Sequence, residues 1–91
     1  MLLNEKVFIV TGASSGIGEE LSRELSIAGS KVVCAARRMD QLERVCQSIN
    51  ESGGVSIPIQ TDITVKDQCE NLIKSSLESF GRIDALVLNA G

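Results

Sequence analysis

The sequence predicts an α/β fold, a doubly wound parallel sheet built in the order β-α-β-α-β-α-β. Three observations carry that expectation. Strand-like apolar runs alternate with segments of helical period, a glycine-rich turn joins the first run to the first helical segment, and Pro58 interrupts the third run. Proline donates no ladder hydrogen bond and belongs at a sheet edge, which is where the third strand falls in the strand order 3-2-1-4.

The first strand is Val7-Phe8-Ile9-Val10-Thr11, broken by Gly12-Ala13-Ser14-Ser15-Gly16-Ile17-Gly18. Ile17, Leu21, Leu25 and Ala28 then recur at helical spacing, and Gly29 supplies the stop. Lys31 to Ala36 is almost wholly apolar, as a strand buried on both faces should be. Asp40, with Glu43 three residues on, reads as the N-cap of a second helix whose buried stripe is Leu42, Val45, Cys46 and Ile49. Gly53-Gly54 turns the chain into the third strand, Val55 to Gln60. A third helix is expected from about Thr64, with Asp67 in the capping-box position and Val65, Cys69, Leu72, Ile73, Ser76 and Phe80 facing inward. Gly81 ends it, and residues 85–88 form a fourth apolar strand followed by Asn89-Ala90-Gly91.

Right-handed crossovers place the first two helices on one face of the sheet and the third on the other. The chain reverses direction between strands one and four, and open α/β sheets bind ligands at such a switch point. The glycine turn and Asn89-Ala90-Gly91 follow those two strands, so two distant motifs are expected to meet there.

Ninety-one residues make one domain or part of one. A net charge of -3 and only two aromatic residues argue against nucleic acid as a partner. Cys34, Cys46 and Cys69 are unaccompanied by histidine, which excludes the usual zinc spacings; no metal site is expected, and buried reduced thiols are. No run approaches the roughly 18 apolar residues of a membrane span. With Met1 taken as the start, a fold that begins by Lys6 leaves no room for a signal peptide, so the expected location is cytoplasmic.

A strand, a glycine turn and a helix N-terminus together make a phosphate site, because the first turn of the helix offers unpaired N–H groups and a partial positive charge. Spacing narrows the nucleotide. A Walker A loop needs four residues between its glycines and then Lys-Ser/Thr, whereas here three intervene and Ile17-Gly18 stands in place of the lysine. The G-x-G-x-x-G order is absent as well.

Thr11-Gly12-x-x-x-Gly16-x-Gly18 instead resembles the cofactor loop of the short-chain dehydrogenase/reductase family. Asn89-Ala90-Gly91 matches the end of that family's Asn-Asn-Ala-Gly motif, with Leu88 in place of the first Asn. Over residues 16–42 the likeness is to the hydroxysteroid dehydrogenase and carbonyl reductase branch. The resemblance implies a Rossmann-type fold and an oxidoreductase that interconverts an alcohol and a carbonyl by hydride transfer. It implies that Gly12, Ser14, Ser15, Gly16, Ile17 and Gly18 cradle the cofactor, and that Asn89, Ala90 and Gly91 border it. Asp62 would accept from the adenine amino group, and the backbone of Ile63 would meet the ring edge.

The second strand decides between NAD and NADP. An acidic residue at its end would hold a ribose 2′-hydroxyl, but this chain has Ala36 followed by Arg37 and Arg38. A guanidinium binds a 2′-phosphate that a carboxylate would repel. NADP (NADPH) is therefore expected and NAD is less favoured; the alternative for the arginines is a solvated strand-to-helix corner.

The family's serine and Tyr-x-x-x-Lys lie beyond the Asn-Ala-Gly motif, and these 91 residues contain neither tyrosine nor histidine. No catalytic residue is assigned here, and the 91 residues alone are expected to be inactive. The resemblance implies a small-molecule alcohol or carbonyl substrate and a homo-oligomer for a full-length relative. The alternative is a non-catalytic truncated product that binds nucleotide or docks on another chain. The fourth strand would then present an open edge, and the fragment is expected to be marginally stable.

Overall fold

The structure, a computed structural model, describes residues 4–89. Its elements are β1 (Val7–Thr11), α1 (Gly16–Ile27), β2 (Lys31–Ala36), α2 (Met39–Glu51), β3 (Val55–Gln60), α3 (Lys66–Phe80) and β4 (Ala85–Val87). The four strands form one parallel sheet in the order β3-β2-β1-β4. Val10 pairs with Cys34 on one side and Val87 on the other, and Cys34 pairs with Pro58. Pro58 thus occupies an edge strand, where its missing N–H costs no ladder bond.

Strand alternation divides the core into two layers. Val10, Val32, Cys34 and Ala36 point to the face covered by α1 and α2, where they meet Leu42, Val45, Cys46 and Ile49. Val7, Ile9, Val33 and Ala35 point the other way, against Leu72 of α3, with Phe80 packed alongside. Each large aliphatic side chain so enclosed contributes roughly 1.5–3 kcal/mol relative to exposure.

Several expectations are corrected in detail. The N-cap of α2 is Arg38 rather than Asp40, because only two residues link β2 to α2 and the helix has already begun at Met39. Asp40 acts in the first turn, where its charge favours the helix dipole. The third helix starts at Lys66 with Val65 as N-cap, since Thr64 is drawn instead to the carboxylate of Asp62. Ile17 is 77% exposed, because the buried face of α1 centres on Gly18 and Ser22 and leaves Ile17 outside. The inward stripe of α3 narrows to Leu72 and Ser76, and Val65 and Ile73 are exposed. Leu88 leaves the ladder and is exposed, because the next residue is tied to Thr11 rather than continuing the strand.

Candidate functional site

The carboxyl ends of all four strands open onto one cleft of about 410 Å³. Gly12, Ser14 and Ser15 enter it from the β1–α1 turn; Ala35, Ala36, Arg37 and Arg38 from the end of β2; and Gln41 from the first turn of α2. Thr61, Asp62, Ile63 and Thr64 enter from the β3–α3 connection, and Asn89 follows β4.

The glycine turn is shaped by contacts that exclude side chains. Gly12 adopts φ +64°, and a Cβ there would lie 2.6 Å from the carbonyl oxygen of Asn89. A Cβ on Gly18 would collide with the carbonyl oxygen of Gly12, so the first turn of α1 rests directly on the loop. Gly16, at φ +59°, has open space where its Cβ would project. Ser15 caps α1 with extended backbone but makes no side-chain cap bond, which leaves the first-turn N–H groups and the Ser15 hydroxyl unspent.

Asn89 closes the crevice between β1 and β4. Its N–H donates to Thr11 Oγ1 at 2.9 Å, and the Thr11 hydroxyl shares its proton between the carbonyls of Val87 and Asn89, each at 3.3 Å. Asn89 Nδ2 donates to the Gly12 carbonyl at 3.3 Å. Buried Thr11 opens the glycine motif, but its tie to Asn89 was not foreseen from the sequence.

The β3–α3 connection is held from within. Thr64 donates its hydroxyl at 2.6 Å and its N–H at 2.9 Å to Asp62 Oδ1. These two bonds, with a smaller contribution from the charge of Arg37, hold the Asp62 carboxyl below the usual carboxylate range. Gln68 Oε1 accepts from the Asp62 N–H at 2.7 Å, and the Ile63 carbonyl accepts from the Cys69 thiol at 3.3 Å. Among the described residues, Asp62 Oδ2 and the N–H of Ile63 have no partner.

Arg37 and Arg38 are exposed, and among the described residues neither is in a salt bridge. Gln60 Nε2 donates to the Arg37 carbonyl at 3.0 Å, and the Thr61 N–H donates to the Ala36 carbonyl at 2.8 Å, so the edge strand braces this corner. The chemistry on offer is a cradle of backbone N–H groups, hydroxyls at one wall and two free guanidinium groups at the next. That donor set fits a phosphorylated nucleotide.

Eight of the residues singled out from sequence line the cleft: Gly12, Ser14, Ser15, Arg37, Arg38, Asp62, Ile63 and Asn89. Gly16, Ile17 and Gly18 form the adjoining first turn of α1 and do not line it. Ala90 and Gly91 lie outside the described residues. Gln41, Thr61 and Thr64 line the cleft without having been predicted; a lone Gln one turn into a helix carries no sequence pattern. Among the described residues no group of three His, Cys, Asp or Glu side chains could hold a metal ion, and no helix is long and apolar enough to cross a membrane.

Comparison with known proteins follows the same lines. A family model described as short chain dehydrogenase matches residues 6–91. An uncharacterized oxidoreductase of Listeria innocua is 44% identical over 91 residues, covering 100% of this chain and 37% of the relative. The 11-beta-hydroxysteroid dehydrogenase 1A of Arabidopsis thaliana is 39% identical over 87 residues, covering 94% of this chain and 25% of the relative. Among solved structures, a hydroxysteroid dehydrogenase from Escherichia coli superposes with a TM-score of 0.96 at 34% identity, over 98% of this chain and 38% of that one. A metagenomic short-chain oxidoreductase in complex with NADP gives a TM-score of 0.93 at 36% identity, over 100% of this chain and 41% of that one. The chain thus spans well under half the length of the relatives it matches.

Proposed function

The chain belongs to the short-chain dehydrogenase family, and on that premise we propose that it supplies the NADP(H)-binding part of an oxidoreductase interconverting an alcohol and a carbonyl. The observation that carries the cofactor choice is the unpaired Arg37–Arg38 corner, which shares one cleft with the glycine turn. A dianionic 2′-phosphate there meets two guanidinium groups and no carboxylate at the end of β2. One charge-assisted hydrogen bond of roughly 1.5–3 kcal/mol favours NADPH over NADH about ten- to a hundredfold.

The remaining residues take roles by their free groups. The first-turn N–H groups of α1, with the hydroxyls of Ser14 and Ser15, hold phosphate oxygens. Gly12, Gly16 and Gly18, with Ile17 between them, keep that turn tight enough for the approach. Asp62 Oδ2 accepts from the adenine amino group while Oδ1 stays with Thr64, and the Ile63 N–H donates to the ring. Asn89, with Ala90 and Gly91, borders the nicotinamide end. When bound, the nicotinamide ring supplies or accepts the hydride at C4.

Similarity to hydroxysteroid dehydrogenases and to an oxidoreductase solved in complex with NADP supports this reading. A small-molecule substrate, a homo-oligomer and a cytoplasmic location belong to the same proposal. In the complete protein, Arg37→Ala is expected to weaken NADPH binding about ten- to a hundredfold and leave NADH binding nearly unchanged. Equal losses for both cofactors in a titration would overturn the 2′-phosphate assignment. The 91 residues by themselves offer no tyrosine or histidine to move the proton, so no turnover is expected from them in an NADPH-oxidation assay.

A further inference from the structure

Gln68, in the first turn of α3, reaches back to the cleft wall at Asp62. The polar groups of Asp62 are nearly all engaged. Its N–H donates to Gln68 Oε1 at 2.7 Å, and its carbonyl accepts from the Val65 N–H at 3.0 Å. Its Oδ1 accepts from both the hydroxyl and the N–H of Thr64. Among the described residues, Oδ2 alone is left without a partner. The neighbours on either side are held as well. The Thr61 N–H donates to the Ala36 carbonyl, and the Ile63 carbonyl accepts from the Cys69 thiol, so the open backbone group of Ile63 is its N–H. This wall of the cleft therefore offers one acceptor and one donor, on adjacent residues.

We propose that Gln68 and Thr64 are positioning residues that fix Asp62 with a single open acceptor, and that the cleft thereby selects a 6-aminopurine over a 6-oxopurine nucleotide. The seat of the purine at Asp62 rests on the NADP(H) reading above; the bonds that fix Asp62 do not.

An ionised carboxylate only accepts hydrogen bonds. Adenine sets an amino donor beside a ring nitrogen that accepts, which complements Asp62 Oδ2 and the Ile63 N–H. A 6-oxopurine reverses the pair, with a carbonyl oxygen beside a ring N–H, so acceptor meets acceptor and donor meets donor. That choice holds only while the carboxylate cannot turn away. The two bonds from Thr64 pin Oδ1, and Gln68 pins the backbone from which the side chain departs. The Thr64 hydroxyl, and then its N–H, also hold the Asp62 carboxyl below the usual range, so it stays an acceptor at neutral pH. Selectivity of this kind comes from polar groups left unpaired with the wrong base, not from the shape of the cleft.

Gln68 and Thr64 are both exposed, so replacing them leaves the core intact. Fluorescence titration gives the affinity of the complete protein for NADPH and for its 6-oxopurine analogue, reduced nicotinamide hypoxanthine dinucleotide phosphate. NADPH is expected to bind about ten- to a hundredfold more tightly. Gln68→Ala and Thr64→Val should each weaken NADPH binding about three- to tenfold and leave the analogue nearly unchanged, so the preference shrinks. Thr64→Ser keeps the hydroxyl and should keep the preference. A general loosening of the connection would weaken both nucleotides alike. Equal losses, an absent preference in the unaltered protein, or a preference that survives both variants would overturn the proposal. Asp62→Ala separates its failure from that of the cofactor reading. If Asp62→Ala removes the preference while Gln68→Ala and Thr64→Val do not, Asp62 holds the purine unaided and the positioning roles fall alone. If Asp62→Ala leaves NADPH affinity unchanged, the purine lies elsewhere, and the placement of the cofactor falls with them.

Discussion

Gly18 lies in the first turn of α1 with the Gly12 carbonyl oxygen directly where a Cβ would project, and with Asn89 Nδ2 2.7 Å from the same point. Gly18→Ala therefore forces the phosphate turn, the helix and the Asn89 tie apart together. The expected cost is about 1–3 kcal/mol, read as a lower urea midpoint of the complete protein, with nucleotide affinity falling alongside. A neutral result would mean that α1 shifts freely on its loop. At this scale the spacing of the glycines announced the packing, because only a residue without a side chain suits such a contact. Arg37 and Arg38 were expected at the end of the second strand because no acid follows Ala36 there, and both line the cleft. Gln41 was not legible, nor was the tie from Thr11 to Asn89, since a single polar residue at a helix start or strand end has many ordinary explanations. Asp62 was read as an adenine partner, and its bonds leave Oδ2 open to that role, with Oδ1 bound to Thr64.

Elements were easier to place than their ends. Periodicity marked the buried stripe of α2 because all of Leu42, Val45, Cys46 and Ile49 lie on one face. It drew the stripe of α3 too wide: only Leu72 and Ser76 are buried on that helix, with Leu72 packed against residues of β1 and β2. Caps were misread for a related reason: capping-box patterns name residue types, but the lengths of the connections decide where a helix begins. The seating of β4 depends on Asp84, which accepts from the Val7 N–H at 2.7 Å and from Arg82 at 2.6 Å. Arg82 first, and the Val7 N–H second, hold the Asp84 carboxyl below the usual range. A depressed folded-state pKa means that the contribution is complete above the unfolded value and is lost as pH falls through the folded one. Stability of the complete protein is thus expected to be insensitive to Asp84 between pH 7 and 5. Its share should fade only below about pH 4. Asp84→Asn should flatten that acid limb, and an unchanged acid limb in denaturation measured across pH would remove Asp84 from the account.

Across the molecule, strand order rather than any single residue assembles the cleft, since β3-β2-β1-β4 brings four connections to one end of the sheet. The same order leaves β4 at an edge with Leu86 44% and Leu88 71% exposed. An apolar parallel edge invites pairing with other chains, so the 91 residues alone, dilute and without nucleotide, are expected to show no cooperative thermal transition. A sharp calorimetric peak from dilute monomer would contradict this. The fold class was legible because alternation, handedness and the edge proline all pointed one way. The substrate was not, because the chain spans well under half the length of the relatives it matches. The bond from Asn89 to Thr11 spans 78 positions, and contacts that distant in sequence form late because the intervening chain must first be gathered. During synthesis, which runs from the amino end, the first strand and its phosphate turn emerge long before the residue that fastens them. A nascent chain can therefore fold its first βαβ unit and still have no finished grip on a nucleotide. On the proposed reading, capture of the cofactor then waits for the fourth strand to arrive.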